Sequence, residues 1–353
     1  MGVTAVATMK DVAKAAGVSV ATVSRVLNDD DRVAGETRAR VQQVIEQLGY
    51  TPNTLGRNLR LAATHRVLVL VSSLSNQFCS GVVRGMEMKA AENGYQVMLA
   101  ATHQDPELER RFLQSLYNRS VDGMVLMGAR LPAEELSAIG KNYPLVLCCE
   151  RVEGARVPCV SIDDELAGYD AVHMLVQKGH RRIAILSNRE IASARKRTAG
   201  YERALREAGV QPETDLMVER YEYSSAAGME ACEKLFSLAE PPTAIFCISD
   251  DLAAGVCRVL RERGLTPGRD VDVVGFDNTP ISRVFVPDIT TISQPRRELG
   301  RQAMQQLLLR MEGAPCERRD VYLPHQLVLR ESTGIGTENS RKAFSTDGPL
   351  AVK

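Results

Sequence analysis

The sequence predicts an α/β protein, with a small helical head followed by two α/β lobes. Three observations carry this. Residues 9–28, MKDVAKAAGVSVATVSRVLN, hold two short helical patterns set back to back around Gly17-Val18-Ser19. From Arg66 onward, short continuous apolar runs alternate with amphipathic stretches, the rhythm of parallel strands covered by helices on both faces. That rhythm restarts at Val160–Ile162, so two units of similar size are expected.

In the head, Val12, Ala13 and Ala16 recur at helical spacing, and so do Val23, Val26 and Leu27. Gly17 can adopt the conformation of a tight inter-helix turn, and Ser19 is placed to cap the second helix. This is the helix-turn-helix design, whose second helix enters the DNA major groove. A plain helical hairpin would show the same apolar spacing. The polar side of the second helix favours DNA, because Thr22, Ser24, Arg25 and Asn28 suit phosphates and base edges. A third helix is expected from about Glu36 to Leu48, burying Val41, Val44, Ile45 and Leu48, with Gly49 as its stop.

Strands are expected at Arg66–Val71, Gln96–Ala101, Gly123–Met127 and Leu145–Cys148, separated by helices near 81–93, 107–118 and 133–140. The second lobe should hold strands at Val160–Ile162, Arg182–Leu186, Ala244–Cys247 and Val271–Phe276. Its helices should lie near 166–178, 194–208, 226–238 and 251–263.

The stretch DVAKAAGVSVATVSRVLN, followed by RVAGETRARVQQVIEQLGYTPN, resembles the DNA-binding headpiece of the lac/gal repressor (LacI/GalR) family. The likeness continues to about Ser332, through LGRNLR, MGARLP and PPTAIFC. It implies a transcriptional repressor that binds a near-palindromic operator on double-stranded DNA as a homodimer. It further implies a periplasmic-binding-protein-like core of two lobes, with Thr290–Gln326 returning to complete the first. The implied division is a headpiece at 1–52, a hinge at 53–64, an effector-binding and dimerisation core at 65–333 and a disordered tail at 334–353. Thr8, Ser19, Val20, Ala21 and Arg25 fall on headpiece contact positions, with Val20, Ala21 and Arg25 at the specificity positions. In the hinge, Leu59 matches the leucine that wedges the minor groove, and Arg57 and Asn58 would lie near backbone or groove. Two departures are visible. Ala34 stands where the family caps its third helix with Ser, and Gly56 replaces a usual alanine in the hinge.

Composition narrows the class. The chain has 353 residues, room for two or three domains, with 44% apolar residues and zero formal net charge. Up to Thr64, eight Lys and Arg face six Asp and Glu, a weakly basic head. The eight cysteines form no CxxC pair and no Cys/His ligand spacing, so buried thiols in a reducing compartment are expected, without metal. The N-terminus lacks the features of a signal peptide and no apolar run approaches membrane-spanning length, so the expected location is the cytoplasm. No P-loop, GxSxG, HExxH or dinucleotide fingerprint is present, and the five histidines include His180 in what reads as an exposed turn. An enzyme is therefore not expected. A periplasmic binding protein would share the lobes but would carry a signal peptide and no headpiece.

Ligands of open parallel sheets bind outside the carboxyl ends of the strands, so the loops there are the candidate effector site. After the first strand, SSLSNQFCSG offers Asn76 or Gln77 for hydrogen bonds and Phe78 for stacking. Further along come Ser193, a nearby hydroxyl, and Arg197, a fork-shaped donor suited to adjacent hydroxyls or a carboxylate. By the resemblance, Arg197 matches the family's arginine and Asp277 its acidic ligand residue. Tyr223 falls on an aromatic position that packs a purine in one branch, and Ser249 stands where another branch has an amide. This set suits a ribose-bearing small molecule, a nucleoside such as cytidine, with a free sugar as the alternative and no other cofactor.

Overall fold

A computed structural model describes residues 7–27, 29–50, 63–219, 222–314 and 320–334. These fall in two compact units that part between Thr64 and His65. The expected hinge at 53–64, with Arg57, Asn58 and Leu59, lies outside the described residues save for its last two positions. So do Asn28 and all of the expected tail after Gly334.

The head contains α1 (Met9–Ala16), α2 (Val20–Leu27) and α3 (Gly35–Leu48). Thr8 and Asp11 form a reciprocal capping box that starts α1, and Gly17 ends it in the left-handed conformation, φ 64°. Val12, Ala13, Ala16, Val23, Val26, Val41 and Val44 make one small core. Leu48 is not part of it: it is 42% exposed, and Tyr50 is buried instead. Gly49, at φ 57°, ends α3, and Tyr50, whose amide donates to the Ile45 carbonyl at 3.0 Å, folds back into the core.

The larger unit holds two six-stranded sheets. Lobe one contains β1 (Arg66–Val71), β2 (Gln96–Ala101), β3 (Gly123–Met127), β4 (Leu145–Cys148), β5 (Cys159–Ile162) and β11 (Asp320–Leu323), in the order β11-β5-β4-β3-β1-β2. Lobe two contains β6 (Ile183–Ser187), β7 (Met217–Glu219), β8 (Ala244–Cys247), β9 (Asp272–Asp277), β10 (Thr290–Ser293) and β12 (Gln326–Val328), in the order β12-β10-β9-β8-β6-β7. All pairings are parallel except β10 with β12. The helices of lobe one are α4 (Gln77–Glu92), α5 (Pro106–Tyr117), α6 (Ala133–Asn142) and α12 (Arg296–Met311). Those of lobe two are α7 (Asp164–Gln177), α8 (Ala192–Glu207), α9 (Ser225–Leu235), α10 (Asp250–Glu262) and the short α11 (Ile281–Val284).

The strand period of two sorts the core of lobe one. Val67, Val69 and Val71 join the cluster under α4 and α12, whereas Leu68 and Leu70 meet Leu113, Leu116, Leu136 and Ile139 of α5 and α6. Helix pairs on the sheets approach until their backbones touch. A Cβ on Gly168 of α7 would stand inside the Arg197 backbone, and one on Gly200 of α8 inside the Glu165 carbonyl. Gly228 with Gly255, and Gly85 with Gly300, repeat this reciprocal contact in the pairs α9/α10 and α4/α12.

Three further expectations about the larger unit need correction. Val160–Ile162 does not open lobe two; β5 pairs with β4 through Leu147↔Cys159 and Cys148↔Val160, and the chain crosses only afterwards. Thr290 does not begin the return to lobe one, because β10 pairs along β9 and the crossing follows Ser293. In both cases the local sequence does not say which sheet the segment joins. His180 is not a free turn residue. Its ring is largely buried, 3.0 Å from Asp272 and 2.9 Å from the Thr243 hydroxyl.

Candidate DNA-reading helix and effector cleft

In the head, Ser19 starts α2. Its Oγ accepts from the Thr22 backbone at 3.1 Å and lies 2.9 Å from the Thr22 hydroxyl. The helix then sorts itself by period: Val23 and Val26 are buried, Val20, Ala21 and Arg25 are exposed, and Thr22 and Ser24 lie between. The residues expected to read bases are therefore on the open face. Thr8 is exposed, with its hydroxyl engaged to Asp11 at 2.6 Å. Two of the three acids in the loop after α2 are paired internally. Arg32 forks onto Asp30 at 2.9 and 2.7 Å, and Arg38 bonds Asp29 at 2.8 Å. That pairing removes repulsion that the loop would otherwise present to phosphates.

In the larger unit, the carboxyl ends of both sheets face one cleft between the lobes. Lobe one contributes Ser72, Asn76, Phe78 and Cys79 after β1, Gln104 after β2, Met127, Gly128 and Arg130 at β3, and Cys149 and Glu150 after β4. Lobe two contributes Ile191, Ser193 and Arg197 after β6, Tyr223 after β7, Ile248 and Ser249 after β8, and Asp277 at the end of β9. Six of the seven expected effector residues meet here: Phe78, Ser193, Arg197, Tyr223, Ser249 and Asp277.

Gln77 does not join them. Asn76 caps α4 through the Phe78 backbone at 2.9 Å, and the helical turn that follows buries Phe78 and Cys79 while leaving Gln77 exposed. Asn76 lines the cleft in its place. Ser249 lines the cleft but uses its hydroxyl to cap α10, accepting from Leu252 at 3.2 Å.

Arg197 is the most constrained side chain of the set. Its Nε donates to Asp164 and its Nη1 to the Ile248 carbonyl, each at 2.9 Å, with the guanidinium carbon 3.6 Å from the centre of the Phe276 ring. Burial works against its charge, but Asp164 and Asp277 outweigh this and hold its pKa above the usual arginine value. Held by these contacts, the guanidinium lines the cleft.

Asp277 is buried, in an unusual backbone conformation with φ 100°, and accepts from the Gln294 amide at 2.7 Å. Burial pushes its pKa up to about 6 against the pull of Arg197 and Gln294. Behind it, burial and then Asp277 push Asp250 up to about 7. Asp250 accepts from Thr279 N at 2.6 Å, Thr279 Oγ1 at 3.0 Å and Thr291 Oγ1 at 2.6 Å.

Sequence reasoning missed three participants. Glu150 accepts from the Ser193 hydroxyl at 3.1 Å across the lobes, and burial raises its pKa, partly offset by that bond. Asp164 holds Arg197. Arg130 reaches from lobe one to the Glu190 carbonyl of lobe two. Glu150 and Arg130 follow strand ends directly, the same cue that singled out Asp277.

Comparison with known proteins now decides the family. Residues 8–53 match the bacterial regulatory proteins of the lacI family, and residues 172–333 match the periplasmic binding protein-like domain. The HTH-type transcriptional repressor CytR of Escherichia coli (strain K12) is 36% identical over 329 residues, 93% of this chain and 96% of that protein. The chain belongs to the lacI family of bacterial regulatory proteins. As a lacI-family protein it is a DNA-binding transcriptional regulator of the repressor type, among relatives that are regulators and not enzymes. The crystal structure of the lac repressor dimer bound to operator and the anti-inducer ONPF superposes with a TM-score of 0.84 at 28% identity, covering 93% of this chain and 99% of that one. A complex of the transcriptional regulator CelR with cellobiose gives a TM-score of 0.70 at 30% identity, covering 92% and 99%. The lacI-family assignment agrees with the α/β class, the helical head and the two parallel lobes seen here.

Proposed function

We propose that this protein is a cytoplasmic homodimer that represses transcription from a near-palindromic operator under the control of a small effector bound between the lobes. The observation that carries the effector reading is the convergence of Phe78, Tyr223, Arg197 and Asp277 on one cleft. Asp277 and Arg197 suit adjacent sugar hydroxyls, and Phe78 and Tyr223 suit the faces of a base, so a nucleoside such as cytidine is favoured. A free sugar is the second reading, favoured by the cellobiose and ONPF complexes of the structural neighbours.

The division into a headpiece at 1–52, a hinge at 53–64 and a core at 65–333 is part of the proposal. Arg25 is assigned to a base edge, Val20 and Ala21 to apolar groove contacts, and Thr8, Ser19, Thr22, Ser24 and Asn28 to the surrounding backbone and bases. Leu59 is assigned to the minor groove, and Arg57 and Asn58 to the backbone or groove beside it. Support for a second copy comes from the open edge of lobe one, where Met98 and Leu99 of β2 and Met88 of α4 are exposed, and from exposed Val284 and Val286 in lobe two. DNA and effector affinities are then linked reciprocally.

A thermal-shift panel of nucleosides, bases, pentoses and hexoses on the full chain tests the effector class. A ligand at a hundred times its dissociation constant stabilises by about 2.7 kcal/mol, a readable shift. Response to nucleosides and not to free sugars supports the favoured reading, and the reverse response replaces it with the second. Operator titration with and without the active compound gives the sign of the coupling. In the same assay Arg25→Ala should relax one operator position, at a cost of about 1–3 kcal/mol in base discrimination. An unchanged base preference removes Arg25 from the readout.

A further inference from the structure

Two cavities meet at a wall of two side chains. Beside the effector cleft lies a wider groove, lined among others by Arg151, Glu153, Arg195, Lys196 and Tyr322. Arg130 and Glu150 line both spaces and so form the wall between them. Arg130 is fixed at its backbone, where its N–H lies 3.0 Å from both carboxylate oxygens of the buried Glu109. Its guanidinium is tied at both ends. Nη1 donates to the Glu190 carbonyl of lobe two at 2.5 Å, and Nη2 donates to the Gln104 side-chain carbonyl of lobe one.

We propose that Arg130 is a specificity-determining residue, a bolt that closes the effector cleft toward the outer groove and confines the effector to a compact ligand. This rests on the reading of the cleft as the effector site. Both hydrogen-bond acceptors are neutral carbonyls, one on each lobe, so the guanidinium is tethered across the opening. A ligand with a substituent beyond nucleoside size leaves the cleft between Arg130 and Glu150. On the far side Arg195 and Lys196 offer positive charge to an anionic extension, beside Glu153 and Glu190, while Arg151 is already paired with Asp320. With the bolt in place that route is shut.

The test uses the full chain and two variants. Arg130→Met keeps much of the side chain's bulk and loses both tethers; Gln104→Ala keeps Arg130 and loses one. In ligand-free protein, the rate at which a bulky maleimide dye labels Cys149, which lines the cleft, is followed by peptide mass mapping. The expected result is labelling about tenfold faster in Arg130→Met, equivalent to a passage easier by about 1.4 kcal/mol, with Gln104→Ala between it and wild type. Thermal shifts with cytidine and cytidine 5′-monophosphate give the second readout. Wild type should favour the compact compound, and Arg130→Met should narrow or reverse that preference. Unchanged Cys149 labelling in both variants overturns the proposal whatever the effector is. Faster labelling with unchanged preference overturns the specificity role. Faster labelling with no response to either compound upholds the bolt and counts against the nucleoside reading alone.

Discussion

Arg197 and Asp164 meet at 2.9 Å from two helices whose backbones touch at Gly168 and Gly200. Both side chains are buried, so the pair is held in place by the crossing and completed by the Ile248 carbonyl and the Phe276 ring. The same guanidinium faces the cleft. One residue thus ties the stability of lobe two to its ligand chemistry.

Replacing Arg197 should therefore have two effects. Arg197→Ala leaves Asp164 buried without its partner and should destabilise the core by about 3–5 kcal/mol, read by chemical denaturation. Arg197→Lys keeps the charge without the fork and should lose less stability while still weakening the active compound in the thermal-shift panel. A lysine variant with undiminished ligand response removes Arg197 from the site.

Gly200 should tolerate no side chain. Alanine there would press a methyl into the Glu165 carbonyl and the Tyr169 amide, both backbone atoms of α7. Overpacking of this kind costs about 1–3 kcal/mol, and the forced separation should also lengthen the Arg197–Asp164 bond. Denaturation midpoint and effector response are expected to fall together. A normal ligand response at reduced stability would uncouple the helix crossing from the site.

The buried carboxyls predict the pH dependence. Asp250 is pushed up to about 7 by burial and then by Asp277, itself raised to about 6, against an unfolded value of 3.8. A raised carboxyl pKa means that the native state binds the proton more tightly, so stability falls as pH rises from about 4 to about 7. The slope is at most about 1.4 kcal/mol per pH unit for each proton. Asp250→Asn can keep its bonds to Thr279 and turn the Thr291 hydroxyl to accept. Its denaturation midpoint should gain on wild type as pH is raised from 5 to 8. A constant difference across that range would show that Asp250 does not titrate there.

The headpiece offers a gain. Ala34 precedes α3 with no side-chain bond to the helix, so the first amides lack the cap that a hydroxyl would provide. Ala34→Ser should stabilise the headpiece by about 1 kcal/mol, visible by calorimetry as an upward shift of its transition.

Much of this was legible before any coordinates. Gly17 and Ser19 marked the turn and cap of the headpiece because both act through local backbone chemistry. The continuous apolar runs located β1, β3, β4, β8 and β9 because strands buried on both faces need apolar residues at every position. Assignment of β5 and β10 to a lobe was not legible, since sheet membership is decided by long-range pairing. Asp164 was hidden for a different reason. An acid in the first turn of a helix reads as a partner of the helix dipole, and only the crossing with α8 gives it Arg197. His180 was misjudged in the same way, because Asp272 is 92 positions away in the chain.

The last strands carry a consequence for damaged copies of the gene. β11 forms an edge of lobe one and β12 an edge of lobe two, with Pro324 and His325 alone between them. Just beyond, the Ser332 hydroxyl bonds the Val273 carbonyl at 2.6 Å under the second sheet. A premature stop codon before Asp320 would strip an edge from each sheet at once, although most of both lobes had been translated. Such alleles should behave as complete nulls, whereas a stop after Gly334 spares both sheets.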